Sequence, residues 1–255
     1  MSGSLEGINV LDLTHALSGQ FCYMLLAELG ANIIKVEPPT GDHFRPANNG
    51  ATFAVVNRNK RSICIDLKKP DSAKVMTTLI SKSDIMLENF TPGTAERLGS
   101  NYEKVKEIKP DIIYASISGF GQDGPLAERP GFDQIAQGMG GLMSITGEPG
   151  RGPMRVGIPI ADLCAGLFAA QAIFIALLER SKSGKGQWVQ TSLLQAQAFM
   201  LDFQAARYLM DGDVPKQAGN NHPTSIPTGV FKTSDGFINL AVAGELIWKR
   251  LAETL

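Results

Sequence analysis

Short hydrophobic runs alternate with longer segments of helical periodicity along the first half of the chain. Apolar runs of four to eight residues bounded by turn residues are typical of buried strands, and a period of 3.6 is typical of helices packed on one face. The predicted strands span residues 7–13, 31–37, 62–67, 84–88 and 111–116, with helices at residues 20–29, 72–81 and 94–109. Because short links join strand, helix and strand, the pattern predicts parallel βαβ units. We therefore expect an α/β fold whose open parallel sheet carries helices on both faces.

The second half of the chain changes in character. Residues 125–157 are rich in glycine and proline and predict a long functional loop with one helical piece at residues 132–140. The later predicted elements are an apolar helix, a strand, a helix and a β-hairpin, at residues 162–180, 188–192, 193–210 and 230–231 with 237–242. A polar link precedes the hairpin. We expect a large domain over residues 1–218 and the beginning of a smaller α+β domain over residues 219–255.

Composition narrows the class of protein further. The 255 residues include 24 basic and 25 acidic ones, for a net charge of -1, so no basic face for nucleic acid is indicated. Cys22, Cys64 and Cys164 are odd in number and have no metal spacing, which predicts a reducing, cytoplasmic setting. The first residues lack the features of a signal peptide. The apolar run at residues 163–178 is short for a membrane span and contains Gln171, which favours a buried helix and no membrane partner.

Asp162 stands at the start of the most apolar predicted helix. In one interpretation it is an N-cap, whose carboxylate accepts hydrogen bonds from the first free backbone N–H groups. In the other it is a nucleophile, which the helix N-terminus keeps ionised. Gly157, Pro159 and Gly166 leave room for a ligand beside it. The two interpretations are compatible, and spacing alone does not separate them.

The turn after the first predicted strand, residues 14–19, is a candidate phosphate site. Turns at this place in parallel sheets present backbone N–H groups at a helix N-terminus. Glu37 ends the second strand, where a ribose-binding acid of a nicotinamide enzyme is expected. The glycine fingerprint of such enzymes is absent, since only Gly19 is present. The alternative is a tight turn that packs helix on strand.

Residues 57–61 form a short basic run before a strand. A solvated sheet edge explains such a run, and a phosphate clamp joined by Arg45, Lys68 and Arg97 is the alternative. His15, His43 and His222 have no partners in a hydrolase pattern, and no metal-binding motif occurs, so we expect no metal.

Seven segments together resemble one family, the family III CoA-transferases, which include formyl-CoA and carnitine-type transferases and the α-methylacyl-CoA racemases. Their order and spacing carry the resemblance over nearly the whole chain. The segments are residues 11–42, 57–68, 84–99, 117–125, 130–148, 159–166 and 179–187.

The resemblance implies a Rossmann-like large domain, an interlocked homodimer and Asp162 as the catalytic carboxylate. Asp162 would attack an acyl-CoA to give a mixed anhydride and then an aspartyl-CoA thioester, from which coenzyme A passes to an acceptor acid. Coenzyme A would be a substrate, with neither metal nor nicotinamide involved. The positions implied to contact it are Leu17, Ser18, Ile65, Asp66, Leu67, Lys68, Asn89, Phe90, Arg97, Pro130, Gly131, Phe132 and Asp133.

Three departures from family patterns bear on the substrate. Leu17 and Pro38 stand where formyl-CoA transferases have glutamine and arginine, which argues against a formyl-CoA/oxalate pair. Phe132 stands where the racemases have a general-base histidine, and a phenyl ring exchanges no proton. We expect a transferase for a small, dicarboxylic acid, with a racemase or a non-catalytic CoA-binding fragment as alternatives. Because family members run well beyond this length, we expect the small domain to be truncated in this chain.

Overall fold

The computed structural model describes residues 3–254, so the predictions that concern Met1, Ser2 and Leu255 lie outside the described residues. The chain divides into two compact units. One comprises Met1–Ala136 with Pro159–Met200, and the other comprises Gln137–Ile158 with Leu201–Leu255. The second unit thus contains the segment predicted to begin a small domain, together with parts of the preceding chain. The domain boundary at residue 219 stays a prediction.

The first unit is built on a sheet of six parallel strands, as the alternating pattern predicts. The strands are β1 (Asn9–Asp12), β2 (Asn32–Glu37), β3 (Lys60–Cys64), β4 (Ile85–Glu88), β5 (Ile113–Ser118) and β6 (Gln187–Ser192). Their spatial order is β3-β2-β1-β4-β5-β6, with every pair parallel. The chain winds outward from β1 in one direction and from β4 in the other. The carboxyl ends of β1 and β4 therefore form a topological switch point, where open α/β sheets bind ligands.

Helices connect and flank these strands. In chain order they are α1 (Ser18–Glu28), α2 (Ala51–Asn57), α3 (Ser72–Ser81), α4 (Thr94–Arg97), α5 (Tyr102–Ile108), α6 (Asp133–Met139), α7 (Leu142–Ile145), α8 (Ile160–Ser183), α9 (Leu193–Phe199), α10 (Phe203–Asp211) and α11 (Glu245–Thr254). Val10 on β1 belongs to one core cluster with α1 and α8, whereas the adjacent Leu11 belongs to a second with α3 and α5. Because successive residues of a strand point to opposite faces, both faces of the sheet are buried.

Helix α8 is long and apolar enough to cross a membrane by length and composition. One of its faces is buried against α1 and the sheet through small residues such as Ala165 and Ala169. Gly166 is required there, because a Cβ atom at this position would lie 2.6 Å from the backbone oxygen of Ser18. Leu167, Ile175 and Leu178 on α8 are exposed. The predicted buried helix is therefore confirmed for the face that meets α1 and the sheet.

Several element boundaries differ from the predictions for physical reasons. β3 spans Lys60–Cys64 rather than residues 62–67, because its partner β2 ends at Glu37, which pairs with Cys64. The single helix predicted over residues 193–210 is broken into α9 and α10, and Asp202 between them has φ 46°. In the second unit, β7 (Thr228–Lys232) and β8 (Phe237–Ala241) form the predicted antiparallel hairpin.

Candidate functional site

A cavity of about 210 Å³ lies at the switch point of the first unit. The turn after β1, the turn after β4, the end of β5, residues 129–133 and the first turn of α8 line it. From the residues that the sequence predicts for a ligand site, it gathers Ser18, Asn89, Phe90, Pro130, Gly131, Phe132, Asp133 and Asp162. Segments far apart in the chain thus meet where the sheet topology places a ligand.

The turn after β1 is held in an unusual conformation. The backbone N–H of His15 donates to Oδ1 of Asn89 over 2.8 Å, and Nδ2 of Asn89 donates back to the carbonyl of His15 over 2.6 Å. Ala16 has φ 56°, a region that residues with a side chain rarely adopt. His15, Ala16 and Ser18 line the cavity. Leu17 does not line it and directly precedes α1. Both interpretations of this turn are therefore compatible with the structure: it is tight, and it faces a ligand-sized space.

Two glycines bring the loop before α6 against the end of β5. A Cβ atom on Gly119 would lie 2.3 Å from the Cα atom of Gly131, and one on Gly131 would lie 2.1 Å from the Cα atom of Gly119. Side chains at either position would force the two backbones apart. The contact places Phe132 and Asp133 at the cavity, where Phe132 is 64% exposed.

Asp162 lies inside the first turn of α8 and is not its N-cap. Pro159 occupies the N-cap position of α8, and its side chain accepts no hydrogen bond from the helix. Oδ1 of Asp133 instead accepts the backbone N–H of Ala161 over 2.9 Å. The predicted capping role of Asp162 is therefore wrong, because a carboxylate from another segment satisfies the helix start. The side chain of Asp162 lines the cavity.

The environment of Asp162 makes its carboxylate a stronger base than usual. Burial, followed by the nearby negative charge of Asp133, raises the pKa of Asp162 to about 7. Burial and Asp133 thus oppose the ionisation that was expected from the position of Asp162 at a helix N-terminus. A desolvated carboxylate that titrates near neutral pH in a cavity is typical of catalytic acids, bases and nucleophiles.

Two further cavities adjoin the first in series, because each shares lining residues with the one before it. One of about 180 Å³ shares His15 and Phe90 with the cavity of Asp162 and is lined mainly by apolar groups. The next, of about 530 Å³, shares Leu67, Lys68 and Leu98 with the second. We call this series of three cavities the groove. It gathers the remaining predicted contact residues: Ile65, Asp66, Leu67, Lys68 and Arg97.

Charge is distributed unevenly along the groove. Its far cavity is lined by Lys68, Lys69, Arg97 and Lys104, with Glu107 as the acidic residue of that lining. Lys69 and Lys104 were missed by sequence reasoning, since neither lies in a recognisable phosphate motif. Arg129 in the cavity of Asp162 was also missed, although it directly precedes the matched segment 130–148. The groove therefore has a basic end, an apolar middle and an end that holds the carboxylate of Asp162.

The basic run at residues 57–61 does not form the phosphate clamp. The side chain of Lys60 is 2% exposed and pairs with Asp12 over 3.1 Å. Arg58 pairs with Glu28 over 2.6 Å on the surface. Lys60 is thus neither a solvated residue nor a phosphate ligand, because it is buried and paired with Asp12, which lies 48 positions earlier in the chain.

Glu37 and Arg45 are likewise committed to each other. Two hydrogen bonds of 2.5 and 2.6 Å join them, and Ser62 donates a third to Glu37. Burial opposes ionisation, but the bonds from Arg45 and Ser62 outweigh it and lower the pKa of Glu37 to about 2. The carboxylate proposed for a nicotinamide ribose is therefore already satisfied, and Arg45 is not available to the groove.

The parallel sheet, with a cavity and the carboxylate of Asp162 at its switch point, defines an α/β protein of Rossmann-like topology. The sequence model of the family described as CoA-transferase family III matches residues 5–255 of this chain. The chain belongs to this family. Within the described residues, no group of histidine, cysteine or acidic side chains has the arrangement of a metal site.

Curated relatives are similar over most of this chain. It is 39% identical over 264 residues to succinate–glutarate CoA-transferase of Agrobacterium fabrum, which covers 98% of the chain and 66% of that relative. It is 41% identical over 241 residues to human succinyl-CoA:glutarate CoA-transferase, covering 92% of the chain and 55% of the relative. An acetyl-CoA:oxalate CoA-transferase of Acetobacter aceti is 38% identical over 99% of the chain. The chain thus spans about half to two thirds of the length of these relatives.

Solved structures agree in fold. A CaiB/BaiF family protein from Brucella suis has a TM-score of 0.91 at 38% identity and covers 100% of this chain and 70% of its own. A hypothetical protein from Mycobacterium tuberculosis has a TM-score of 0.89 at 29% identity, with the same coverage of 100% and 70%. The predicted mixed α/β fold and the predicted family are both confirmed.

Proposed function

We propose that this protein transfers coenzyme A from an acyl-CoA donor to a small dicarboxylic acid, with Asp162 as the nucleophile. The observation that carries the proposal is the groove, in which the cavity of Asp162, a mainly apolar cavity and a cavity lined by cations adjoin in this order. Coenzyme A has the matching sequence of chemical groups: phosphates at one end, a pantetheine arm and a thiol at the other.

The basic end of the groove suits the phosphates. Arg97 and Lys68 line it, and cationic side chains bind phosphate oxygens through charge-assisted hydrogen bonds. The apolar middle, with Ile65 and Phe90, suits the pantetheine arm. The thioester would then lie in the cavity of Asp162, between the turn after β1 and residues 130–133.

The proposed reaction needs no net proton transfer. An oxygen of Asp162 attacks the thioester carbonyl carbon, the C–S bond breaks, and coenzyme A leaves as a thiolate. The thiolate attacks the aspartyl carbonyl of the mixed anhydride, which releases the donor acid and forms an aspartyl-CoA thioester. The acceptor carboxylate attacks the carbonyl of this thioester, the C–S bond breaks, and an anhydride between Asp162 and the acceptor forms as the thiolate leaves; the thiolate then attacks the acceptor carbonyl of this anhydride. Breaking of the last C–O bond regenerates the Asp162 carboxylate.

The names of the relatives support a dicarboxylic acid as the acceptor. Those named above act on glutarate, succinate or oxalate, which are all dicarboxylic acids. Phe132 at the cavity offers no proton for racemisation, which supports transfer over isomerisation. Free Cys22, Cys64 and Cys164 support a cytoplasmic setting, and the interlocked homodimer stays a proposal that rests on the family resemblance.

Mass spectrometry of the intact protein tests the covalent step. After mixing with succinyl-CoA, the mass should rise by one coenzyme A less one water, and hydroxylamine should convert the adduct to a hydroxamate on the peptide that contains Asp162. Asp162→Asn should abolish the adduct. Asp111→Asn is a matched control, because Asp111 precedes the amino end of β5, away from the carboxyl ends of the strands, and pairs with Lys109. An adduct that persists in Asp162→Asn, or none with succinyl-, acetyl- or glutaryl-CoA, refutes the proposal.

A further inference from the structure

Four charged side chains lie buried beside the turn that follows β1. They are Asp12, Lys35, Asp42 and Lys60, each with a side chain no more than 2% exposed. We call them the buried charge cluster. None of the four lines the groove. With two cations and two carboxylates the cluster is neutral, so it does not serve to attract a charged ligand.

The contacts of the cluster converge on the two ends of the turn. Oδ1 of Asp12 accepts the backbone N–H of Thr14 over 2.8 Å and its hydroxyl over 2.6 Å. Nζ of Lys35 donates to the carbonyl of Thr14 over 2.7 Å and pairs with Asp42 over 3.0 Å. Both backbone groups of Thr14 are therefore fixed by buried charges.

Lys60 connects the same cluster to the beginning of α1. Its Nζ lies 3.1 Å from Oδ2 of Asp12 and donates to the backbone carbonyl of Gln20 over 3.0 Å. The side chain of Gln20 in turn donates to Asp42 and accepts from Asn57. The end of β1 and the first turn of α1 are thus tied to one set of charges.

The turn between these two fixed points contains the strained residue. Ala16 has φ 56°, which a residue with a Cβ atom keeps only when its surroundings hold it there. His15, Ala16 and Ser18 are the groups that this turn presents to the cavity of Asp162. An error of about 1 Å in the position of such groups costs about 100-fold in rate.

We infer that the buried charge cluster positions residues 14–18 so that the thioester end of coenzyme A is held beside Asp162, an inference that rests on the proposed function. Lys60 acts through Asp12 and Gln20, and Lys35 acts through Thr14. All four members are positioning residues, because none of them touches the groove. Within the basic run at residues 57–61, Lys60 is thus the cation that serves the site, although it does not line the groove.

A double variant separates positioning from folding. Removing one member of a buried ion pair leaves an unpaired charge, whereas replacing both by apolar groups is often neutral for stability. We therefore choose Asp12→Leu with Lys60→Met, which leaves Lys35 paired with Asp42. The matched control is Glu28→Gln with Arg58→Met, which removes the exposed ion pair joining α1 to the same basic run.

Kinetics and hydrogen exchange of the full chain give two independent readouts. In the Asp12/Lys60 variant we expect kcat to fall at least tenfold, with KM for the CoA thioester changed less than threefold, because the phosphates bind at the far end of the groove. Amide exchange of residues 14–18, measured by mass spectrometry, should accelerate at least tenfold. The Glu28/Arg58 control should match the wild type in both measurements.

Each result decides the inference. A folded Asp12/Lys60 variant with wild-type kcat and wild-type exchange overturns it. If that variant does not fold, Thr14→Val replaces it, since this change removes only the hydroxyl that Asp12 accepts; unchanged kcat and exchange there overturn the inference equally. A wild-type protein that transfers no coenzyme A refutes the proposed function, and the exchange rates still decide whether the cluster holds the turn.

Discussion

Replacing Asp162 by asparagine should make the protein more stable while it removes the proposed nucleophile. Asparagine has the same shape but carries no charge, so it removes the cost of holding a carboxylate in a desolvated cavity. The pKa of Asp162 rises from an ordinary value of 3.8 to about 7. At about 1.4 kcal/mol for each pKa unit, this corresponds to about 4 kcal/mol at most, and residual solvation reduces it to about 2–4 kcal/mol.

The sign of the effect follows from proton binding. A carboxyl group whose pKa is raised in the folded state holds its proton more tightly there than in the unfolded chain. Between about pH 4 and pH 7 the folded protein therefore binds more protons, and its stability falls as the pH rises through this window. The stabilisation of Asp162→Asn should be largest at pH 8 and small at pH 4.5.

Urea unfolding at these two pH values measures the effect. At pH 8 the free energy of unfolding of Asp162→Asn should exceed that of the wild type by about 2–4 kcal/mol, or about 5–15 °C in Tm. Asp111→Asn at the opposite edge of the sheet should show no such gain. Equal stability of Asp162→Asn and wild type at pH 8, or a gain of the same size at both pH values, would refute the reasoning that burial raises this pKa.

Three further predictions concern charge, phosphate binding and packing. Asp133→Asn keeps an oxygen for the helix start but removes the charge beside Asp162, so the acidic limb of kcat should move from about pH 7 to lower pH; an unmoved limb contradicts this. Arg97→Ala should weaken coenzyme A binding by calorimetry about 10- to 100-fold, with pantetheine binding unchanged, and equal losses for both would place Arg97 elsewhere. Gly166→Ala should lower the free energy of unfolding by about 1–3 kcal/mol, whereas Gly157→Ala, with nothing within 4 Å, should be neutral; equal effects contradict the packing argument.

The sheet was predictable because buried parallel strands are continuous apolar runs. Where strand and helix patterns alternate, the apolar runs at residues 84–88 and 31–37 predict buried strands, and β4 and β2 lie there. Helix α3 spans Ser72–Ser81, the predicted residues, since polar and turn residues bound its periodic pattern on both sides. Local patterns of this kind carry their own boundaries.

The site was only partly predictable, because its decisive contacts are not local. Asp133 accepts a hydrogen bond from the backbone N–H of Ala161, which lies 28 positions later at the start of α8. No pattern around Asp162 signals this contact. The sequence around Lys60 is typical of a surface charge, and only the fold brings Asp12 beside it. Ala16 adopts a conformation that sequence rules assign to glycine, so the turn carries no recognisable fingerprint.

The separation of the two ends of the groove has a kinetic consequence for the proposed reaction. If the phosphates of coenzyme A stay bound at the basic end of the groove when the C–S bond breaks, the thiolate is a tethered reagent and not a free one. A tethered group attacks at an effective molarity that far exceeds its concentration in solution, up to about 10⁵–10⁸ M when well oriented. In the proposed reaction such a tether would favour attack on the anhydride by the thiolate over attack by water, and the leaving group of one half-reaction would serve as the nucleophile of the next.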